Sequence, residues 1–156
     1  MSFFSDIQQH IYDRLKDATA LDGLDYFASV DVIQEDQGDV LTAINKAIAG
    51  LGLVVVIHLA DADCDKPNVP GPYLDSVRTA IDVAENVTLN RTGDSYKTIN
   101  QVVEHVLLYL HHYKPDDVNE VFICDREAVR TVDPPQGTTV ARRILITTSG
   151  GIELSS

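Results

Sequence analysis

Three carboxylates stand at alternating positions in Asp61-Ala-Asp-Cys-Asp65, just after an apolar run. Hard cations select oxygen clusters of this kind. A helix–loop–helix calcium loop beginning at Asp61 would need glycine at position 66 and glutamate at position 72. The chain has Lys66 and Pro72, which excludes that motif. A magnesium-dependent phosphodiester enzyme would use Asp61, Asp63 and a third acid, for which Glu85 is the candidate. Against it, an acidic loop is ordinarily solvated surface, and no basic cluster accompanies these acids to hold phosphates.

The five histidines offer little to zinc. His111 and His112 are adjacent and cannot share a helical face; His105 and His112 can, but zinc pairs on a helix are spaced by four. With no Cys-x-x-Cys, neither a metal nor a cofactor is expected. His58 lies in an apolar run, where a hydrogen-bonded structural imidazole is the ordinary occupant. Cys64 sits among carboxylates that oppose thiolate formation. The nucleophile elbow, the phosphate loop and the dinucleotide fingerprint are all missing, so no catalytic residue is expected.

What remains is Glu85-Asn86-Val-Thr-Leu-Asn90-Arg91. Glu85 falls on the apolar side of an alternating segment, where a carboxylate is costly unless paired or hydrogen-bonded. Its partner is either Arg91 or an arginine of a neighbouring subunit. The plainer alternative is a turn with Asn90 left-handed and Arg91 solvated.

The elements that must position these residues follow from periodicity. Phe4, Ile7, Ile11 and Leu15 recur at helical spacing after a cap at Ser2 or Ser5, with Asp22-Gly23 as the stop. Residues 26–33 read as a short strand. Asp39 or Asp36 caps a second helix with the stripe Val40, Leu41, Ile44, Ala47, Ile48 and Leu51, stopped by Gly50 and Gly52. The run 53–59 is a buried central strand, and 61–75 a long acidic loop without periodicity. Residues 76–89 alternate as a long strand, and 90–94 form a turn. A third helix, capped by Asp94 or Ser95, carries Ile99, Val102, Val103, Val106, Leu107, Leu110 and Tyr113, and Lys114-Pro115 closes it. Strands near 119–130 and 138–148 form a hairpin around Asp133-Pro-Pro-Gln-Gly137, and a loose tail occupies about 150–156. The expectation is one α+β domain over residues 1–156: a mixed, mainly antiparallel sheet, about three helices packed on it and a C-terminal β-hairpin.

Composition bounds the function. The 156 residues are 44% hydrophobic and 23% charged, an ordinary globular balance for one domain. Two cysteines, Cys64 and Cys124, cannot make a disulfide framework and read as reduced thiols. Net charge is −12; 13 acids and 4 bases lie through Asp75, against 11 and 8 after it. No stripe of Lys and Arg is available for a nucleic-acid backbone, and the same field opposes anionic membranes. The first ten residues lack a basic region and an apolar stretch, so a cytoplasmic origin is expected.

Taken together, the order of elements over about residues 3–148 resembles the tail terminator (tail completion) proteins of long-tailed bacteriophages and prophages, and their head–tail connector relatives. In that family a strand ending in a Glu-Asn and Asn-Arg pattern precedes a Thr-rich turn and a helix, as Glu85, Asn86, Asn90, Arg91, Thr92 and Thr98 do here. The resemblance implies a non-enzymatic virion protein, made in the bacterial host's cytoplasm. Such proteins form a homo-oligomeric ring, commonly of six, on the head-proximal end of the tail tube. The ring stops tube polymerisation and offers a surface to the head–tail connector. Its partners would be further copies of itself, the tube protein and the connector protein, with DNA only as passing cargo. An acidic bore would repel the duplex and keep it from sticking. Candidate contact residues are Glu85, Asn86, Asn90 and Arg91, with Asp61, Asp63 and Asp65 in the acidic loop; the 131–138 connection is a second contact element. Another head–tail joining role is the close alternative, and the magnesium enzyme built on Asp61, Asp63 and Glu85 the distant one.

Overall fold

One long strand organises the chain. The computed structural model describes residues 3–21, 23–35, 38–58, 61–64, 73–92, 95–115, 121–132 and 139–151. Its strands are β1 (Asp31–Gln34), β2 (Leu53–Ile57), β3 (Asp61–Cys64), β4 (Tyr73–Asn86), β5 (Ile123–Val132) and β6 (Thr139–Gly151). They form a sheet in the order β1-β2-β4-β6-β5, with β3 also on β4. Along one edge of β4, β2 pairs with Ile81–Glu85 and β3 with Leu74–Arg78; β6 runs along the other edge. β1 is parallel to β2, and the remaining described pairings are antiparallel. This is the expected α+β class, with β5 and β6 as the C-terminal antiparallel pair.

Helices α1 (Phe3–Lys16) and α4 (Ile99–Leu110) cover one face of the sheet. Ile7, Ile11, Leu15, Val102, Val106, Tyr109 and Leu110 are fully buried there against Val55, Ile57, Ile81, Val83 and Ile144. Each such side chain contributes about 1.5–3 kcal/mol when taken from water. Helix α2 (Val40–Gly50) lies on the opposite face, packing Ala47, Ile44 and Ile48 on Val54, Val56 and Ala84. Because β2 is covered on both faces, all five of its residues are buried, and its sequence is continuously apolar rather than alternating. No helix among the described residues is long and apolar enough to cross a membrane.

Several expectations are corrected. Residues 26–33 are not one strand: Tyr26–Ser29 is a 3-10 turn, and the strand begins at Asp31. The cause is side-chain capture of the backbone, since Lys16 Nζ donates to the carbonyls of Phe27 and Val30 at 2.8 and 2.7 Å. The Tyr109 hydroxyl likewise donates to the Leu24 carbonyl. Helix α1 stops at Lys16, before Gly23; Asp22 and Asp36 lie outside the described residues. Asp39 does cap α2, accepting from Thr42 N. The 61–75 segment is not a continuous loop, because Asp61–Cys64 pairs with β4 and β4 itself starts at Tyr73; residues 65–72, Asp65 included, lie outside the described residues. β4 ends at Asn86 rather than Leu89, and α4 is capped by Thr98 with a reciprocal Gln101 bond instead of by Asp94 or Ser95. That helix ends at Leu110, short of Lys114-Pro115. His112 takes the left-handed conformation (φ 65°) beyond the end, donating its N–H to the Phe122 carbonyl. In the α4 stripe Tyr109 is an additional fully buried member. The 133–137 turn and residues 152–156 of the tail lie outside the described residues.

Gly52 and Gly23 provide a test of the packing beneath this framework. Both have positive φ, 74° and 79°, but a Cβ at Gly52 would stand 2.8 Å from Asn90 N, whereas at Gly23 it meets nothing. Gly23→Ala should cost about 1–2 kcal/mol in urea unfolding, the left-handed penalty alone. Gly52→Ala should cost about 1–3 kcal/mol more, from overpacking against the 86–90 backbone.

Candidate partner interface at the β4–α4 connection

Glu85 is the last inward-facing residue of β4 and is fully buried. At Asn86 the strand turns out of the sheet, because the Asn86 side chain accepts from Leu89 N and caps the short helical turn α3 (Val87–Asn90). The turn rests on Gly52, whose carbonyl accepts from Asn86 N at 2.7 Å. This brings residues five and six positions beyond Glu85 back over its carboxylate. Asn90 Nδ2 and Arg91 Nε (3.2 Å) donate to Oε2, while Arg91 Nη2 (3.1 Å) and Ile99 N (3.3 Å) donate to Oε1. Asn90 Nδ2 also donates to the Lys97 carbonyl at 2.7 Å. One carboxylate therefore fastens the end of α3, the incoming connection and the first N–H of α4, where the helix dipole favours a negative charge. Of the two partners the sequence left open for Glu85, the fold supplies the one within the chain. Burial pushes the carboxyl pKa up, but the bonds from Arg91, Asn90 and Ile99 N outweigh it and hold it below the ordinary value.

The outer surface of this connection exposes three large apolar side chains among polar ones. Leu51, Leu89 and Tyr96 are 53%, 42% and 43% exposed. They border a cavity of about 300 Å³ whose remaining wall is largely polar, from Ser29, Asn90, Thr92, Ser95 and Lys97. The Arg91 guanidinium lies 5.9 Å from the centre of the Tyr96 ring. Single exposed leucines are commonplace, but aromatic and aliphatic groups set among hydrogen-bonding ones around one concavity have the mixed character of a protein contact surface.

Asp61 and Asp63 are elsewhere. Asp61 stands opposite Arg78 and Asp63 opposite Ser76. Glu85 is seven residues beyond Arg78, about 23 Å at ~3.3 Å per residue. The three acids proposed for a magnesium site therefore do not converge. The Asp61 side chain is 83% exposed and 3.7 Å from Arg78 Nη2, a surface pair of little energetic weight. Among the described residues no group of three or more His, Cys, Asp or Glu is arranged to hold a metal ion.

A second polar cluster escaped the sequence reading. His58, expected as a hydrogen-bonded imidazole, lies between Glu35 Oε2 (Nδ1, 3.0 Å) and Asp82 Oδ2 (Nε2, 2.8 Å). Arg143 of β6 holds Asp82 from the other side, with Nε and Nη2 at 2.7 and 2.9 Å. Burial raises the Asp82 pKa, yet the Arg143 and His58 bonds bring it down to about 2. Polar residues at alternate positions of β4 hinted at this face; the β4–β6 register that sets Arg143 beside Asp82 had no local signal.

Compared with protein-family models and with curated proteins, the chain matches none.

Because the Glu85 pKa is depressed from 4.5, its contribution to stability is complete above that pH and is lost as pH falls through the folded value. Glu85→Gln should be less stable at pH 7 by about 2–3 kcal/mol, below the ~3–5 kcal/mol of a fully buried pair because Arg91 keeps water. The gap between variant and wild type should narrow below pH 4.5 in acid-range urea titrations.

Proposed function

We propose that the chain is a non-enzymatic virion assembly protein of a long-tailed phage or prophage. It forms a ring on the head-proximal end of the tail tube, ends tube growth and offers the head connector a surface. The observation that carries this reading is the apolar group Leu51, Leu89 and Tyr96, held on a connection that Glu85 locks from beneath. A capping protein needs a surface of fixed shape more than it needs a reacting group. Here Glu85, on the apolar face of β4, is consumed in fixing shape: both its oxygens are taken up by groups of its own chain. Asn86, Asn90 and Arg91 act in the same way, as the frame behind the contact surface. The net charge of −12 supports an assembly through which DNA passes without adhering. The resemblance of the 85–98 segment to tail terminators favours this over other head–tail joining roles.

Sedimentation velocity on the purified chain, alone and with tail tubes, tests the reading. A ring-sized species is expected in at least one condition. Leu89→Asp and Tyr96→Asp should abolish it while leaving the melting temperature within a few degrees of wild type. Asp61→Ala with Asp63→Ala should leave assembly intact. A chain that stays monomeric in both conditions, or that cleaves DNA with magnesium in a manner lost in the Asp61/Asp63 variant, would overturn the proposal.

A further inference from the structure

The His58 cluster stands apart from the contact surface and has a property that follows from its geometry alone. Both imidazole nitrogens face carboxylate oxygens, Nδ1 toward Glu35 and Nε2 toward Asp82. An ionised carboxylate only accepts hydrogen bonds, whereas a neutral imidazole has one donor nitrogen and one acceptor nitrogen. A neutral His58 can therefore satisfy one side only, and sets a lone pair against a carboxylate on the other. The imidazolium satisfies both. Asp82 is kept ionised by the two-pronged contact with Arg143, so the conflict cannot be relieved by protonating that partner.

The backbone around His58 shows what the contact fastens. His58 N donates to the Ala80 carbonyl at 2.9 Å, fixing the end of β2 to β4. Glu35 N donates to the Ile57 carbonyl at 2.9 Å, at the end of the four-residue parallel ladder that joins β1 to β2. β1 is an edge strand, and Ile33 on it packs in the cluster beneath α2. Helix α2 leads directly into Leu51. The charged groups facing His58 are Glu35 from the end of β1, Asp82 from β4 and, behind Asp82, Arg143 from β6. Arg78 of β4 and Asp61 of β3 pair with each other further along the sheet.

We propose that His58, in its doubly protonated form, is a pH-dependent latch that clamps the β1 edge to the central strand through Glu35 and Asp82. Losing the proton leaves one of the two carboxylates facing a lone pair, and the clamp across β1, β2 and β4 weakens. The edge strand and the α2 helix packed on it then loosen, while α4, which packs on β4, β5 and β6, is untouched. The inference does not depend on the phage reading. The bonds to Asp82 and Glu35 outweigh burial and raise the His58 pKa above 6.5. The sign follows: the latch contributes fully below pH 6.5, and its contribution disappears as pH rises through the folded pKa.

Nitrogen-15 NMR of the wild-type imidazole, titrated from pH 5.5 to 9, reads the latch directly. Expected are protons on both Nδ1 and Nε2 at pH 6.5, and a midpoint above 6.5. In parallel, amide exchange of Ile33 and Glu35, whose N–H groups point toward β2, should quicken roughly ten- to a hundredfold from pH 6 to pH 9 after correction for intrinsic rate, the ratio for losing a charged hydrogen bond. Exchange in α4 should not change. His58→Gln should abolish the pH dependence in β1. A midpoint at or below 6.5, a single neutral tautomer at pH 6, or β1 exchange with no pH dependence beyond the intrinsic rate would overturn the proposal. The NMR arm stands even if the variant fails to fold.

Discussion

A buried carboxylate on the apolar face of the central strand is the constraint around which this molecule is arranged. Left alone, Glu85 would cost several kcal/mol of desolvation. The chain offsets that cost with donors from Asn90, Arg91 and Ile99. Asn86 ends the strand, α3 turns the backbone, Asn90 and Arg91 come back over the carboxylate, and the first N–H of α4 closes the ring of donors. The direction in which α4 leaves the sheet is thereby fixed, and with it the face that covers Ile81, Val83 and Ile144. Gly52 is part of the same arrangement, since the return of the chain brings Asn90 N too close for any side chain there.

Much of this was written in residue types. The alternation of β4, the unbroken apolar run of β2 and the stripes of α1 and α4 each reflect a burial pattern with a fixed period. Glu85 stood out because it breaks such a pattern, and Arg91 was within reach of it. Other features were hidden for definite reasons. The 26–29 turn has the composition of a strand, and only Lys16 and Tyr109, distant in sequence, override it. α2 carries an apolar stripe as long as that of a core helix, yet only Ala47 is buried, because the helix sits over the edge of the sheet. Leu41 and Leu51 are left in solvent. The His58 cluster draws on four elements whose register no local pattern encodes.

The two faces of the sheet thus divide the work. One carries the main core under α1 and α4 and is pinned by Glu85; the other carries a thin α2 cluster and the Glu35–His58–Asp82–Arg143 contacts. The stiff side determines the shape of the Leu89–Tyr96 surface. The lighter side holds Leu51, which borders the same cavity, on a unit whose attachment depends on protonation. A docking protein benefits from that combination: a rigid reference surface beside an element that adjusts.

Amide hydrogen exchange of the assembled species, set against that of the dilute chain, reads out whether the Leu51–Leu89–Tyr96 surface is the one buried on assembly. Slowed exchange is expected at Gly50–Leu51, Leu89–Arg91 and Ser95–Lys97. Protection confined to the β5 edge, or an assembled species in which those amides exchange as fast as in the free chain, would contradict the account.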